Sequence, residues 1–65
     1  MLVRLRDEED RVVFVNPDGV TALEPRSDTY SGMKRTYIYL TGAGLMVQGT
    51  PAEVNAEFAR ARDAQ

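Results

Sequence analysis

The side chains most capable of chemistry in this chain are tyrosines and cations near its centre. The candidate binding residues are Arg26, Tyr30, Met33, Lys34, Arg35, Tyr37 and Tyr39. Tyr, Met and Arg are enriched at protein interfaces, and charges at the rim of such a contact add specificity. The same types would suit a nucleotide, because a tyrosine ring stacks on a base and Arg26, Lys34 or Arg35 would hold phosphate. The pattern predicts a binding surface and leaves protein and nucleotide as alternative ligands.

Residues for catalysis and metal binding are scarce. The chain has no Cys and no His, which removes disulfides, thiolate ligands, the commonest general base and the commonest metal ligand. The acidic run at residues 7–10 has two interpretations, a Ca²⁺ or Mg²⁺ site and a solvated turn. The turn is favoured because the run lacks the glycine and ligand spacing of an EF-hand loop. We therefore expect a non-enzymatic protein with no metal and no cofactor.

Composition limits the partners further. The 65 residues carry 8 basic and 10 acidic side chains, a net charge of -2, which argues against tight binding to nucleic acid or to an anionic membrane. RNA or single-stranded DNA binding would need Arg4, Arg6, Arg11, Lys34 and Arg35 to form one patch. No apolar run approaches the roughly 18 residues that span a membrane. The N-terminus lacks a secretory apolar region, so we expect a cytoplasmic location.

Alternating apolar residues and turn signals predict a small antiparallel sheet. Strands are expected at residues 2–6, 11–15, 20–24, 36–40 and 45–48, with turns at 7–10, 16–19 and 41–44. The 11–15 run is apolar on both faces and is expected to be a central strand. Pro25 is expected to end the third strand and to open a long loop over residues 25–34. Gly42 and Gly44 join two strands, so they predict a hairpin and not a phosphate-binding loop.

The strongest local signal begins a helix at the C-terminal end. Thr50 can cap the helix, Pro51 suits its first position, and Glu53 can complete a capping box. An apolar stripe follows at i, i+4 and i+7, formed by Val54, Phe58 and Ala61. These signals predict a helix over residues 51–63.

Together these elements predict a single α+β domain over residues 1–65, a small curled antiparallel sheet of about five short strands (residues 1–49) followed by one helix. The predicted core residues are Val3, Leu5, Val12, Phe14, Leu23, Ile38, Leu40, Val47, Val54 and Phe58. One helix covers only one face of the sheet, yet the strands are apolar on both faces. Because a core of this size is marginal, we expect a second copy to cover the other face, with Tyr37 and Tyr39 in the interface.

One segment resembles a known family. Residues 15–20 read Val-Asn-Pro-Asp-Gly-Val and are followed by Leu23 and Glu24, giving an asparagine–proline turn, a short apolar strand and a glutamate. This pattern resembles the FlbD-type flagellar and swarming-motility small proteins, and the similarity continues through the strand at 36–40 to the helix. The chain departs from that family's asparagine–glycine turn at residues 41–44. The resemblance implies a small non-enzymatic bacterial protein that acts by contact; small phage-encoded proteins share this build.

These patterns favour a protein-interaction module that acts as a homo-oligomer. The alternative is an oligomeric protein that binds or sequesters a nucleotide. No membrane partner is expected, and the charge balance makes nucleic acid an unfavoured partner.

Overall fold

The computed structural model describes residues 1–64, which form five strands, one short 3-10 helix and one α-helix. In chain order they are β1 (Val3–Arg6), β2 (Val12–Val15), the 3-10 helix (Pro17–Gly19), β3 (Val20–Ser27), β4 (Lys34–Leu40), β5 (Ala43–Gln48) and α1 (Pro51–Asp63). All strand pairs are antiparallel, and the predicted α+β class is confirmed.

The strands form two small sheets instead of one. β1 pairs with β2, and the second sheet has the order β3-β4-β5. A single bridge between Asp7 and Val47 joins the sheets. At this junction the Gln48 amide donates to the Asp7 carbonyl at 3.0 Å and to the Asp10 carboxylate at 3.2 Å. The five predicted strands are therefore divided between two sheets, which do not close.

The β1–β2 hairpin buries only its inner face. Val3, Leu5 and Val15 are buried, whereas Val12 is 39% and Phe14 62% exposed. The prediction that β2 is a central strand with Val12 and Phe14 in the core is therefore wrong. β2 pairs only with β1, so it is an edge strand whose outer face meets solvent. A run that is apolar on both faces does not itself reveal which face is covered.

The acidic turn is more ordered than a solvated tip. Asp7 is buried, and its carboxylate accepts hydrogen bonds from the backbone N–H groups of Glu9 and Arg11, both at 2.9 Å, and from Arg11 Nε at 3.2 Å. Asp10 adopts φ 63, a left-handed conformation that aspartate tolerates better than most residues. The side chain of Asp7 thus organises the connection between β1 and β2.

β3 is longer than predicted. It continues through Pro25 to Ser27, so the connection to β4 is shorter than the expected loop at 25–34. Pro25 stands opposite Thr36 in the ladder. A proline that lacks an N–H is tolerated there because β3 is an edge strand. A register shift between Val20 and Ala22 interrupts the pairing near the start of the strand.

β4 and β5 form the hairpin that the sequence predicts, with a tighter turn. Leu40 pairs with Ala43, so only Thr41 and Gly42 connect the strands, and Gly42 adopts φ 73. Thr36 is fully buried, and its hydroxyl donates to the Gly49 carbonyl at 2.8 Å. That bond fixes the connection from β5 to the helix.

α1 begins and ends where the sequence predicts. Thr50 Oγ1 accepts from the Glu53 N–H at 3.2 Å, and Glu53 Oε1 accepts from the Thr50 N–H at 3.0 Å, completing the capping box. Val54 and Phe58 face the sheet and are buried.

The core lies between α1 and the inner faces of both sheets. Its buried apolar residues are Val3, Leu5, Val15, Ile38, Val47, Val54 and Phe58. Leu23 and Leu40 are partly buried against this group, and Val15 is the member that the predicted core omits. Burying each such side chain contributes about 1.5–3 kcal/mol before chain entropy is counted.

Candidate functional site

The face of the β3-β4-β5 sheet that points away from α1 carries most of the predicted site, and we call it the tyrosine face. It consists of Glu24, Arg26, Arg35, Tyr37, Tyr39, Gly44 and Met46. Successive side chains on a strand alternate between faces. Because Thr36 and Ile38 are buried against the core, their neighbours Arg35, Tyr37 and Tyr39 lie on the opposite side.

The two tyrosine rings on this face contact each other edge to face. Their centroids are 4.9 Å apart with an interplanar angle of 70°. The Tyr37 ring also lies directly over Gly44 on β5. A Cβ at Gly44 would lie 2.6 Å from Tyr37 Cε2 and closer still to Cζ and Oη. The absence of a side chain at Gly44 is therefore what allows the Tyr37 ring to occupy its position.

A network of charged side chains on β3 contacts both tyrosine rings. The Glu24 carboxylate accepts from Arg26 Nε at 2.7 Å and from the Tyr39 hydroxyl at 3.1 Å. The Arg26 guanidinium lies 5.5 Å from the Tyr37 ring centroid, within the range of a cation–π contact. The hydrogen bond from Arg26, and then that from Tyr39, lowers the pKa of Glu24. Glu24 is consequently an acceptor that holds both a cation and a phenol in place.

Arg35 continues the cationic part of the face. It stands directly opposite Arg26 in the β3–β4 ladder, and its side chain is only 13% exposed. Arg35 Nη2 lies 3.7 Å from an Asp28 carboxylate oxygen. Its Nη1 is buried and has no hydrogen-bond partner among residues 1–64. Like charges directly across a ladder are unfavourable, but each guanidinium here has a carboxylate partner, Glu24 for Arg26 and Asp28 for Arg35. Within the described chain, the unsatisfied group of this pair is Arg35 Nη1.

The remaining predicted residues are not part of the tyrosine face. Tyr30 lies in the β3–β4 connection with its side chain fully exposed, and Met33 is half exposed at the end of that connection. Strand alternation places Lys34 on the same side as Thr36, at the exposed end of β4. Arg26, Arg35, Tyr37 and Tyr39 are thus brought together, whereas Tyr30, Met33 and Lys34 are not.

The connection between β3 and β4 is held by Asp28. Its carboxylate accepts from the backbone N–H groups of Tyr30 at 2.8 Å and Ser31 at 3.3 Å. These bonds lower the pKa of Asp28, with a smaller contribution from the nearby Arg35 charge. The exposed Tyr30 ring is therefore carried on an ordered turn.

A second surface, which the sequence patterns did not indicate, lies between β1 and α1, and we call it the β1–α1 groove. Three adjoining clefts form it, with volumes of about 450, 270 and 280 Å³. Its lining comes from β1, from the Gln48–Gly49 connection and from one side of α1. Gln48 lines two of these clefts and stands opposite Arg35 in the β4–β5 ladder, so the groove adjoins the tyrosine face at this residue. The site depends on how β1 and α1 pack, which no local pattern encodes.

Comparisons with known proteins do not add to this picture: no family model, no curated protein and no solved structure matches the chain. The resemblance to FlbD-type proteins stays a prediction. No helix in residues 1–64 has the length and apolar character to cross a membrane. Over the same residues, no group of three or more carboxylates is placed to hold a metal ion.

Proposed function

We propose that this protein is a non-enzymatic interaction module that assembles as a homo-oligomer through the tyrosine face. The observation that carries the proposal is the open outer face of the β3-β4-β5 sheet. α1 packs against the inner side only, so Tyr39 remains 37% exposed on the outer side. Tyr37 and Met46 beside it are half buried. The face thus combines the aromatic, Met and Arg residues that are enriched at interfaces.

The rings on this face are held before any partner arrives. Tyr37 packs over Gly44 and against the Tyr39 ring, and Tyr39 is hydrogen-bonded to Glu24. Ordering a flexible side chain on binding costs roughly 0.5–1.5 kcal/mol, so side chains that are already fixed favour association. The tyrosine face therefore meets one requirement of a protein interface at little entropic cost.

The charges favour a second copy of the same chain as the occupant. A two-fold interface brings the same patch of both subunits together, so each patch must complement itself. Glu24 and Arg26 lie side by side on this patch with opposite charges. A two-fold arrangement that sets Arg26 of one copy against Glu24 of the other would pair these opposite charges across the contact.

Sedimentation velocity and native mass spectrometry on the wild type and on Tyr39→Glu test this proposal. The wild type should run as an oligomer, and Tyr39→Glu should run as a monomer with an unchanged far-UV circular dichroism spectrum. Tyr30→Glu is the matched control, because it makes the same substitution on a fully exposed tyrosine outside the tyrosine face. A monomeric wild type, or a Tyr39→Glu protein that keeps the native mass, would show that the proposal is wrong.

Nucleotide binding is the second candidate, and the Arg26–Arg35 pair supports it. An anion bound at this pair would give Arg35 Nη1 the acceptor that it lacks among residues 1–64. The Tyr37 ring beside Arg26 would then be available to a base. Small-ligand sites are usually concave, however, and none of the three clefts described above is lined by Tyr37, Arg26 or Arg35. An extra mass of nucleotide size in the native spectrum, lost in Arg35→Gln, would favour this candidate over self-association alone.

A further inference from the structure

The β1–α1 groove has an apolar floor and a polar rim. Leu5 and Val54 line its floor, and Arg4 and Arg6 line the side formed by β1. Glu53 and Glu57 line the side formed by α1. The bridge between Asp7 and Val47 closes one end of the groove. Its overall form is that of a slot between the edge of a strand and a helix.

The strand at the edge of this slot has unused backbone groups. The Asp7 N–H donates to the Arg11 carbonyl at 2.9 Å. This bond shows which residues of β1 direct their backbone groups toward β2. In an antiparallel ladder the hydrogen-bonded positions alternate, so Leu5 and Val3 are directed toward β2. The N–H and C=O groups of Arg4 are then directed into the groove. No strand within residues 1–64 pairs with β1 on that side before the Asp7 bridge.

The charged groups at the rim that have no ion-pair partner within residues 1–64 are positive. Within the described part of the chain, neither Arg4 nor Arg6 forms an ion pair, although Arg6 donates to the Asp10 carbonyl at 3.0 Å. On the opposite wall, Glu57 is paired with Arg60 at 2.8 Å, and Glu53 is engaged in the capping box. A ligand in the groove therefore meets two available guanidinium groups and two carboxylates that already have partners.

We infer that the β1–α1 groove binds an extended acidic segment of another protein, which adds to the edge of β1 as a further strand. Backbone hydrogen bonds to Arg4 supply affinity, and alternate side chains supply specificity, as in other cases of strand addition. Acidic side chains on one face of the segment meet Arg4 and Arg6. Side chains on the other face pass over Leu5 and Val54, which are already almost fully buried, so the backbone bonds and the charges carry the affinity.

The strands of this chain do not have the chemistry of that ligand. β1, β2, β4 and β5 contain no acidic residue, and the one carboxylate in β3, Glu24, is followed by Pro25. The proposed occupant is therefore a different protein and not a second copy. The inference does not depend on the tyrosine face. The result of the Tyr39→Glu experiment therefore neither supports nor contradicts it.

The test is a nitrogen-15 NMR titration of the full chain with a capped peptide of alternating Val and Glu, long enough to span β1. The amide shifts should be confined to β1, the Gln48–Gly49 connection and the first turns of α1. Two control peptides separate charge from strand addition. One alternates Val and Lys, and the other keeps Val and Glu but carries N-methyl groups along one edge, which prevents pairing with a strand.

Variants on the rim complete the test. Arg4→Glu and Arg6→Glu should each weaken the Val-Glu peptide by about tenfold, since each replaces an attraction with a repulsion. Arg62→Glu is the matched control, because Arg62 is exposed, lies outside the groove lining and makes no ion pair among residues 1–64. It should bind the peptide as the wild type does. Circular dichroism spectra establish that all three variants are folded.

Several results would overturn the inference. Shifts centred on β2 or on the tyrosine face would place the ligand elsewhere. Equal binding of the N-methylated peptide, or full displacement by inorganic phosphate, would indicate a simple anion site. Equal binding of the Val-Lys peptide would remove the role of Arg4 and Arg6. Shifts at Arg4 that depend on protein concentration without peptide would mean that a second copy occupies the groove.

Discussion

Replacing Gly44 with alanine should destabilise the fold, although alanine is normally the better residue within a strand. The backbone of Gly44 lies outside the left-handed region, so alanine causes no strain in the main chain. The obstacle is the Tyr37 ring, because the new Cβ would overlap Cζ and Oη and lie 2.6 Å from Cε2. The ring must therefore leave the position in which it contacts Tyr39 and Arg26.

The expected cost follows from the contacts that the ring loses. An aromatic pair contributes about 0.5–1.5 kcal/mol beyond its buried area. An exposed cation–π contact contributes about 0.5–1 kcal/mol. Replacing glycine stiffens the unfolded chain and returns about 0.4–1 kcal/mol. The net loss is on the order of 1 kcal/mol, within a range of about 0–2 kcal/mol from these contributions. Each kcal/mol should lower the Tm by about 4–8 °C in a chain of this size.

A double-mutant cycle isolates this clash. Urea unfolding is measured for the wild type, Gly44→Ala, Tyr37→Leu and the double variant, all at one protein concentration because the proposed self-association would contribute to stability. Gly44→Ala should be destabilising in the wild type and neutral or stabilising once Tyr37 is leucine. The coupling energy should exceed about 0.5 kcal/mol. An equal effect of Gly44→Ala in both backgrounds would refute the role of Gly44 in placing the ring.

Three further changes test the fold. Thr50→Ala removes the helix cap and should cost about 0.5–2 kcal/mol in urea unfolding; an unchanged midpoint would mean that the cap contributes nothing. Hydrogen bonds to the Asp7 carboxylate hold its pKa below the ordinary 3.8, and the bond from the Arg11 N–H has the largest effect. The stabilisation is thus present above about pH 4 and lost as the pH falls through the lowered pKa. Asp7→Asn should be less stable than the wild type near neutrality and converge with it in acid; a pH-independent difference would contradict this account. Phe14→Ser should change the free energy of unfolding by less than about 0.5 kcal/mol, whereas Val15→Ala should lower it by about 1–3 kcal/mol. A larger effect of Phe14→Ser than of Val15→Ala would indicate that Phe14 is buried and that β2 is a central strand.

Much of the architecture is encoded locally and could be predicted. The helix over Pro51–Asp63 begins at a capping box whose members lie within one turn of one another, so short-range sequence suffices to place it. The alternation of Thr36 with Tyr37 likewise separates the core from the outer face of β4. Such features can be predicted because the residues that determine them are close together in the sequence.

The errors arose where the outcome depends on which strands become neighbours. Phe14 and Val15 are both apolar, and only the division into two sheets decides that Val15 is buried and Phe14 exposed. Pro25 continues a strand because β3 is an edge strand, a position that its own sequence does not reveal.

The candidate site likewise has a part that local sequence predicts and a part that depends on strand pairing. The tyrosines of β4 were predicted to share a face, but the placement of Arg26 across from Arg35 depends on the β3–β4 register. That register follows an irregularity near Val20, which a sequence pattern does not reveal. The role of Gly44 is equally nonlocal, since it is defined by a ring on the neighbouring strand. Site composition could thus be anticipated from sequence, whereas site geometry required the fold.

The two proposed surfaces have different main elements, and this affects how weak contacts would act if both proposals hold. The tyrosine face lies on the side of the β3-β4-β5 sheet that is remote from α1, whereas the groove adjoins α1 itself. A two-fold assembly through the tyrosine face therefore leaves one groove free in each copy. When two binding sites are linked, the second contact becomes intramolecular, and avidity can exceed the single-site affinity by about 10²–10⁴. A groove that holds a short acidic strand only weakly would thus be effective against a partner that presents the segment twice. In this scheme self-association strengthens partner binding without any change in the groove.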